Sequence, residues 1–174
     1  MKLPFQHGPD YSGPDVPRRP LHQVYLELRS KVLSVDAETI GLPATTYLCG
    51  ALMELGIESG VVSVVALTDG TASLYASSGS VLVGGGTHVQ VARAAKGFLD
   101  AVEHSVGVFV PDTASGDLPD PDFVFFRALT CDGPLIARCK SSQLKSKADA
   151  FWPVYYAGQS LLAALRESEA KRDT

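Results

Sequence analysis

The sequence lacks both a long apolar run and an excess of positive charge. No apolar stretch approaches the roughly 18 residues that a membrane-spanning helix needs, and 45% apolar with 20% charged residues is typical of a globular chain. The formal net charge is −4, and the basic residues are scattered among acidic ones. We therefore expect neither membrane nor nucleic-acid binding. The N-terminus has no signal-peptide pattern, so a cytoplasmic location is expected.

Paired cysteines and catalytic motifs are also missing. The three cysteines, Cys49, Cys131 and Cys139, are odd in number and lack C-x-x-C spacing, which argues against a disulfide framework and a zinc site. The four histidines form no ligand-spaced cluster, and the sequence contains no nucleophile elbow, zinc-protease or EF-hand motif. The sequence therefore predicts a protein that is not an enzyme and that needs neither a cofactor nor a metal.

Charged residues in the second half of the chain offer weak candidates for binding. Arg127 interrupts the apolar run FVFFRALT, where it can recognise a carboxylate or a phosphate, although such an arginine more often lies on the wet side of a half-buried strand. The loop PDTASGDLPDPD carries several carboxylates, but their spacing fits no calcium-binding loop. We expect them to be solvated. They are Asp112, Asp117, Asp120 and Asp122.

Three glycines at 84–86 stand between an apolar run and a helical pattern. A phosphate-binding loop needs Gly-Lys followed by Ser or Thr, which is absent, and a dinucleotide fingerprint beginning at Gly84 fails because Val89 stands where glycine or alanine is required. The spacing of Thr87 and Gln90 instead predicts a capping box with Thr87 at the start of the helix. An anion held by the free amides, with Arg93 nearby, is the alternative.

Composition divides the chain into an arm, a domain and a tail. Residues 1–20 contain five prolines and two glycines, which predicts an extended or disordered arm. Residues 21–167 are predicted to form a single α+β domain, followed by a polar tail over 168–174. Within the domain, apolar spacing predicts a helix from Leu21 to Val32 and a second helix from Pro43 to Gly56.

Asp-Gly pairs predict two β-hairpins, because both central positions of a type I′ turn need positive φ. Asp69-Gly70 joins VVSVVALT to TASLYAS, and Asp132-Gly133 joins FVFFRALTC to PLIARC. The run VGVFV at 106–110 predicts a middle strand, and residues 149–166 predict a last helix. The expected fold class is therefore α/β of the α+β type, with a single five-stranded antiparallel sheet and helices packed on its faces.

The predicted helix over 88–103 has two different apolar sides. One is a stripe that predicts the core-facing side and consists of Val91, Ala95, Phe98 and Val102. The other carries only small residues, Ala94, Gly97 and Ala101. Because a mid-helix glycine costs about 1 kcal/mol relative to alanine, something is expected to approach closely there. A partner helix across a two-fold axis and tight packing within the same chain are both open.

The order of elements resembles the roadblock/dynein-light-chain family of profilin-like domains. The resemblance covers residues 43–166 and rests on ALMELGIESGVVSVVALTDGTASLYAS, VARAAKGFLDAV and FVFFRALTCDGPLIARC. It implies a five-stranded antiparallel sheet covered by helices and a non-enzymatic role. It also implies homodimers that pair through the middle helix and the adjacent strand, and that serve as scaffolds or regulators of small Ras-like GTPases. The arm, the extra N-terminal helix and the loop at 111–122 depart from the family pattern.

The expected function is that of a dimeric protein-interaction module. The expected helix contact consists of Ala94, Gly97 and Ala101, with Val108 and Phe109 near the strand contact. A ligand-sensing domain of the PAS or GAF type is the alternative, because it also combines an antiparallel sheet with helices but encloses a small molecule. An enzyme that uses the glycine turn is a third hypothesis.

Overall fold

The computed structural model describes residues 20–84 and 87–172, which contain three α-helices and seven strands. The helices are α1 (Gln23–Leu33), α2 (Val89–Ser105) and α3 (Trp152–Ala170). The strands are β1 (Leu48–Ile57), β2 (Gly60–Leu67), β3 (Ala72–Ala76), β4 (Val81–Val83), β5 (Val110–Pro111), β6 (Phe123–Thr130) and β7 (Gly133–Lys140). The arm predicted over 1–20 lies outside the described residues, apart from Pro20.

The strands form one antiparallel sheet in the order β4-β3-β2-β1-β6-β7-β5. The predicted α+β class is confirmed, but the predicted count of five strands is wrong, because the described residues contain seven. The two Asp-Gly hairpins are present as β2–β3 and β6–β7. Gly70 and Gly133 have φ of 96° and 110°, but Asp69 and Asp132 do not have positive φ, so the hairpins are confirmed and the predicted type I′ turns are wrong.

The segment predicted as a second helix, from Pro43 to Gly56, contains β1 instead. This strand lies between β2 and β6, and side chains cover both of its faces. Met53 packs into the core below the sheet, on the face that α2 and α3 cover. Leu52 packs into the core above the sheet, on the face that α1 covers. A strand buried on both faces reads as a continuous apolar run without alternation, so its leucine spacing also matches a helix.

The remaining differences from the predicted sheet concern two short strands at its edges. β4 is three residues long and follows a tight turn, so its sequence carries little periodic signal. The run at 106–110, predicted as a middle strand, begins with a turn of 3-10 helix over Val106–Val108. Only its last residue joins β5, which is two residues long and forms the opposite edge of the sheet beside β7.

Helices α2 and α3 cover one face of the sheet. The predicted core stripe of α2 is confirmed: Val91, Ala95, Phe98 and Val102 are all buried. Gly158 lets α3 approach closely, because a Cβ at this position would lie 2.6 Å from Met53 Sδ. α2 has His88 as its N-cap residue, with no side-chain cap bond, so the predicted start at Thr87 is wrong by one residue. α3 has Pro153 in its first turn and extends beyond the predicted end at residue 166.

Helix α1 and the β5–β6 connection cover the other face. We call residues 112–122 the strap. Leu118 of the strap is buried with Tyr25 and Val32 of α1 in the core above the sheet. The strap lies directly on β1 at Gly56, where a Cβ would be 1.9 Å from the carbonyl oxygen of Asp120. A glycine is therefore required at 56 for the strap to occupy this place.

Candidate functional site

The small-residue side of α2 is open to solvent at its centre. Gly97 is exposed, and no atom outside its immediate neighbourhood lies within 4 Å of the position that its Cβ would take. Ala94 and Ala101, one turn to either side, are half-buried and pack against the core between the sheet and the helices. Contacts within the chain therefore account for the two alanines but give no packing reason for the glycine.

The predicted strand-contact residues lie just beyond the end of α2. Val108 is 55% exposed, and Val110 of β5 is 54% exposed. Phe109, between them, points inward and packs edge-on against Phe151, with ring centroids 5.5 Å apart. Phe109 therefore anchors the segment, while the valines on either side of it are presented outward. Val108 thus lies exposed in the segment that follows α2, but the structure places Phe109 inside the chain.

A groove follows the opposite flank of α2. It has a volume of about 470 Å³ and is bounded by α2 on one side and by the ends of β1 and β2 on the other. Its apolar lining includes Tyr47, Leu67 and Leu99. Lys96 and Asp100 stand at its rim as an exposed ion pair of 2.7 Å. The groove lies at the end of the sheet and not on a sheet face.

The most concentrated group of charges lies beneath the strap, and we call it the arginine cluster: Arg29, Glu54, Asp112 and Arg127. The Arg127 side chain is fully buried, and its Nε donates to Asp112 Oδ2 at 2.8 Å. Its Nη1 donates to Glu54 Oε2. From α1, Arg29 Nε donates to Glu54 Oε1 at 2.6 Å. Two cations and two carboxylates thus form a continuous chain between α1, β1, β6 and the strap.

Two guanidinium groups of the arginine cluster meet at one backbone oxygen of the strap. Arg29 Nη2 donates to the carbonyl oxygen of Asp117 at 3.0 Å, and Arg127 Nη2 donates to the same oxygen at 2.9 Å. Tyr25 extends the network, since its hydroxyl lies 2.9 Å from Ser63 Oγ, which donates to Glu54 at 3.3 Å. Among the described residues, every buried side-chain nitrogen or oxygen has a hydrogen-bond partner.

Burial sets the protonation behaviour of the arginine cluster. Removal from water lowers the pKa of Arg127 to about 9, and the charges of Arg29 and Arg138 add to the lowering. Burial also lowers the pKa of Arg29 and raises the pKa of the Asp112 carboxyl. These directions all disfavour charge, so each group depends on its oppositely charged neighbours. At neutral pH a pKa of about 9 still leaves Arg127 charged.

The arginine cluster corrects two sequence-based expectations. Arg127 does not lie on the wet side of its strand, and Asp112 is not solvated, because both side chains are fully buried. Glu54 and Arg29 were missed altogether. The signal was present, since Glu54 interrupts the apolar segment LCGALMELGI just as Arg127 interrupts FVFFRALT. Two opposite charges within apolar strands are evidence for a buried pair.

Other sequence candidates remain apart from this region. The described residues contain no group of three or more His, Cys, Asp or Glu side chains arranged to hold a metal ion. Gly84 approaches α3, where a Cβ would lie 2.7 Å from Leu165 Cδ2, while Gly85 and Gly86 lie outside the described residues. No helix within 20–84 or 87–172 is long and apolar enough to cross a membrane.

Comparisons with other proteins give no relative from which a role can be transferred. No family model matches the chain, and no curated protein or solved structure matches it.

Proposed function

We propose that this chain is a non-enzymatic protein-interaction module that forms a homodimer through the small-residue side of α2 and the neighbouring edge strand β5. The observation that carries the proposal is the open position of Gly97. The sequence left two explanations for a glycine in mid-helix, and the contacts of the chain supply no packing neighbour for it. A second copy is the partner that explains it most simply, since homodimers with two-fold symmetry are the commonest assemblies.

The physical argument is that small side chains let two helix backbones approach each other. Gly97 lowers the stability of the helix by about 1 kcal/mol relative to alanine, and without a partner no packing contact offsets this loss. Across a two-fold axis at Gly97, the helix of a second copy would meet this glycine with its own. Ala94 and Ala101 would then border the contact one turn away on each side.

The exposed valines extend the proposed contact beyond the helix. Val108 and Val110 each leave about half of their surface in water, and burying that half contributes about 1 kcal/mol for each side chain. β5 is an edge strand, but Pro111, one of its two residues, has no backbone N–H to donate, so the proposed contact at this edge depends on the valine side chains and not on strand pairing. Phe109 contributes by fixing the position of both valines from inside the chain.

Sedimentation equilibrium tests the proposal through one substitution on α2. The wild-type chain is expected to be a dimer at micromolar concentration, and Gly97→Leu is expected to be a monomer, because four added carbon atoms prevent close helix contact. Its folded state should be retained, since the space around residue 97 is open within the chain.

The matched control is Glu103→Leu, which places the same side chain at an exposed position on the other flank of α2, beside the groove. This variant should sediment as the wild type does. A monomeric wild-type chain, or a Gly97→Leu variant that stays dimeric, contradicts the proposal.

A small Ras-like GTPase is the further partner that the family resemblance implies, and we keep it as part of the proposal. The five-stranded sheet implied by the same resemblance is absent, so this partner is supported by the sequence motifs alone. The groove beside α2 favours a second candidate, a small-ligand sensor, because about 470 Å³ is within the range of ligand sites. Native mass spectrometry of the purified protein would detect a retained ligand.

A further inference from the structure

We propose that the arginine cluster is an oxyanion-binding site, and that the strap closes it by placing the Asp117 carbonyl oxygen where an oxygen of a carboxylate or phosphate would bind. The site lies on the α1 face of the sheet, so it is independent of the proposed dimer contact on α2. The geometry that points to it is the convergence of Arg29 Nη2 and Arg127 Nη2 on one oxygen atom, at 3.0 and 2.9 Å.

A neutral carbonyl oxygen is a weaker acceptor for two guanidinium groups than an anion is. Hydrogen bonds between charged partners are roughly twice as strong as neutral ones, and arginine favours carboxylate and phosphate because its donors match their geometry. Both guanidinium groups are already oriented by Glu54, which accepts from each of them. The site is therefore preorganised, and the strap supplies an acceptor that an oxyanion can replace.

The charge balance changes when the strap leaves. Asp112, the first residue of the strap, stays in place when the following residues leave, because its amide donates to the carbonyl of Pro134 at 2.9 Å beside β5. Asp117 leaves with the strap and gives up Arg138, whose Nη2 lies 3.4 Å from Asp117 Oδ2. Three arginines then face two carboxylates, which leaves one net positive charge. A bound anion with one negative charge would neutralise this open site.

The part of the strap before Leu118 can move, whereas Leu118 itself is buried in the core above the sheet. Asp122, at its C-terminal end, has φ of 68°, a conformation that costs a residue other than glycine about 1 kcal/mol or more. Gly116, near its tip, has open space around it. Gly56 holds the carbonyl of Asp120, two residues before Asp122, against β1 with no space for a methyl group. The C-terminal end of the strap is therefore both strained and tightly seated, while the part around Gly116 is open.

Two measurements test this site, with inorganic phosphate and acetate as the probes and sodium chloride at equal ionic strength as the reference. In the wild-type protein, amide hydrogen exchange of residues 113–117 is expected to become about tenfold faster in the presence of the oxyanion, because binding releases this part of the strap. Exchange in β1 and β6 should stay unchanged. A response to phosphate alone or to acetate alone identifies which oxyanion binds.

The second measurement uses Gly56→Ala, which displaces the strap and keeps every charged group. Its melting temperature is expected to rise by about 3 to 6 °C at an oxyanion concentration ten times the dissociation constant. Gly116→Ala is the matched control, because its added methyl group meets nothing and leaves the strap seated. If Gly56→Ala does not fold, the wild-type exchange decides alone. The proposal is overturned if the oxyanions neither speed exchange in the strap nor stabilise Gly56→Ala more than the control.

Discussion

Replacing Arg127 by alanine is expected to lower the free energy of unfolding by about 3 to 5 kcal/mol. The substitution removes the partner that Asp112 and Glu54 share. Arg29 still pairs with Glu54, but the buried Asp112 carboxylate is left without its cation. An uncompensated buried charge costs far more than the lost contact itself. Urea denaturation at neutral pH, followed by circular dichroism, measures the loss.

Arg138→Ala is the control for this prediction, because Arg138 belongs to the next strand and also pairs with a strap carboxylate. Its side chain is 28% exposed and that of Asp117 is 48% exposed, so water screens the pair. The expected loss is at most about 1 kcal/mol. Equal losses for Arg127→Ala and Arg138→Ala would show that the arginine cluster is not the tightly coupled unit described above.

Phe98→Ala and Gly97→Ala are expected to change stability in opposite directions, although they are adjacent on α2. Phe98 is fully buried between the sheet and α3, so its truncation should cost about 3 to 5 kcal/mol through lost burial and the cavity left behind. Gly97→Ala adds a methyl group in open space and raises helix propensity, which should add up to about 1 kcal/mol to the stability of the isolated chain.

This pair of variants also separates folding from assembly. Denaturation at a protein concentration below the dissociation constant of the dimer reports the stability of the single chain. Gly97→Ala should increase that stability. If Gly97→Ala instead destabilises the single chain, the glycine is needed for packing inside the chain. Its open position then gives no support for a partner at α2.

Sequence patterns located the elements whose signals are local. The hairpin turns depend on a two-residue Asp-Gly step, and the core stripe of α2 depends on regular spacing over 17 residues. The central strand β1 was mistaken for a helix because burial on both faces removes the alternation that identifies most strands. β4 and β5 are too short to show a period at all.

The arginine cluster required information that no local pattern contains. Glu54 and Arg127 lie on neighbouring strands, and they share a face because Glu54 pairs with Phe125 while Leu52 pairs with Arg127. This register results from folding, since one residue of slippage would turn either side chain to the other face. Arg29 and Asp112 reach the cluster from α1 and from the β5–strap junction, which are distant in sequence.

Dilution of the wild-type protein, followed by two-dimensional amide NMR, tests the proposed contact of α2 and β5 between two copies of this chain. The amide signals of Ala94, Gly97, Ala101, Val108 and Val110 are expected to shift together as concentration falls through dissociation, while those of β4 on the opposite edge stay fixed. Signals of α2 and β5 that do not change with concentration, or changes confined to β4, would contradict the proposed contact.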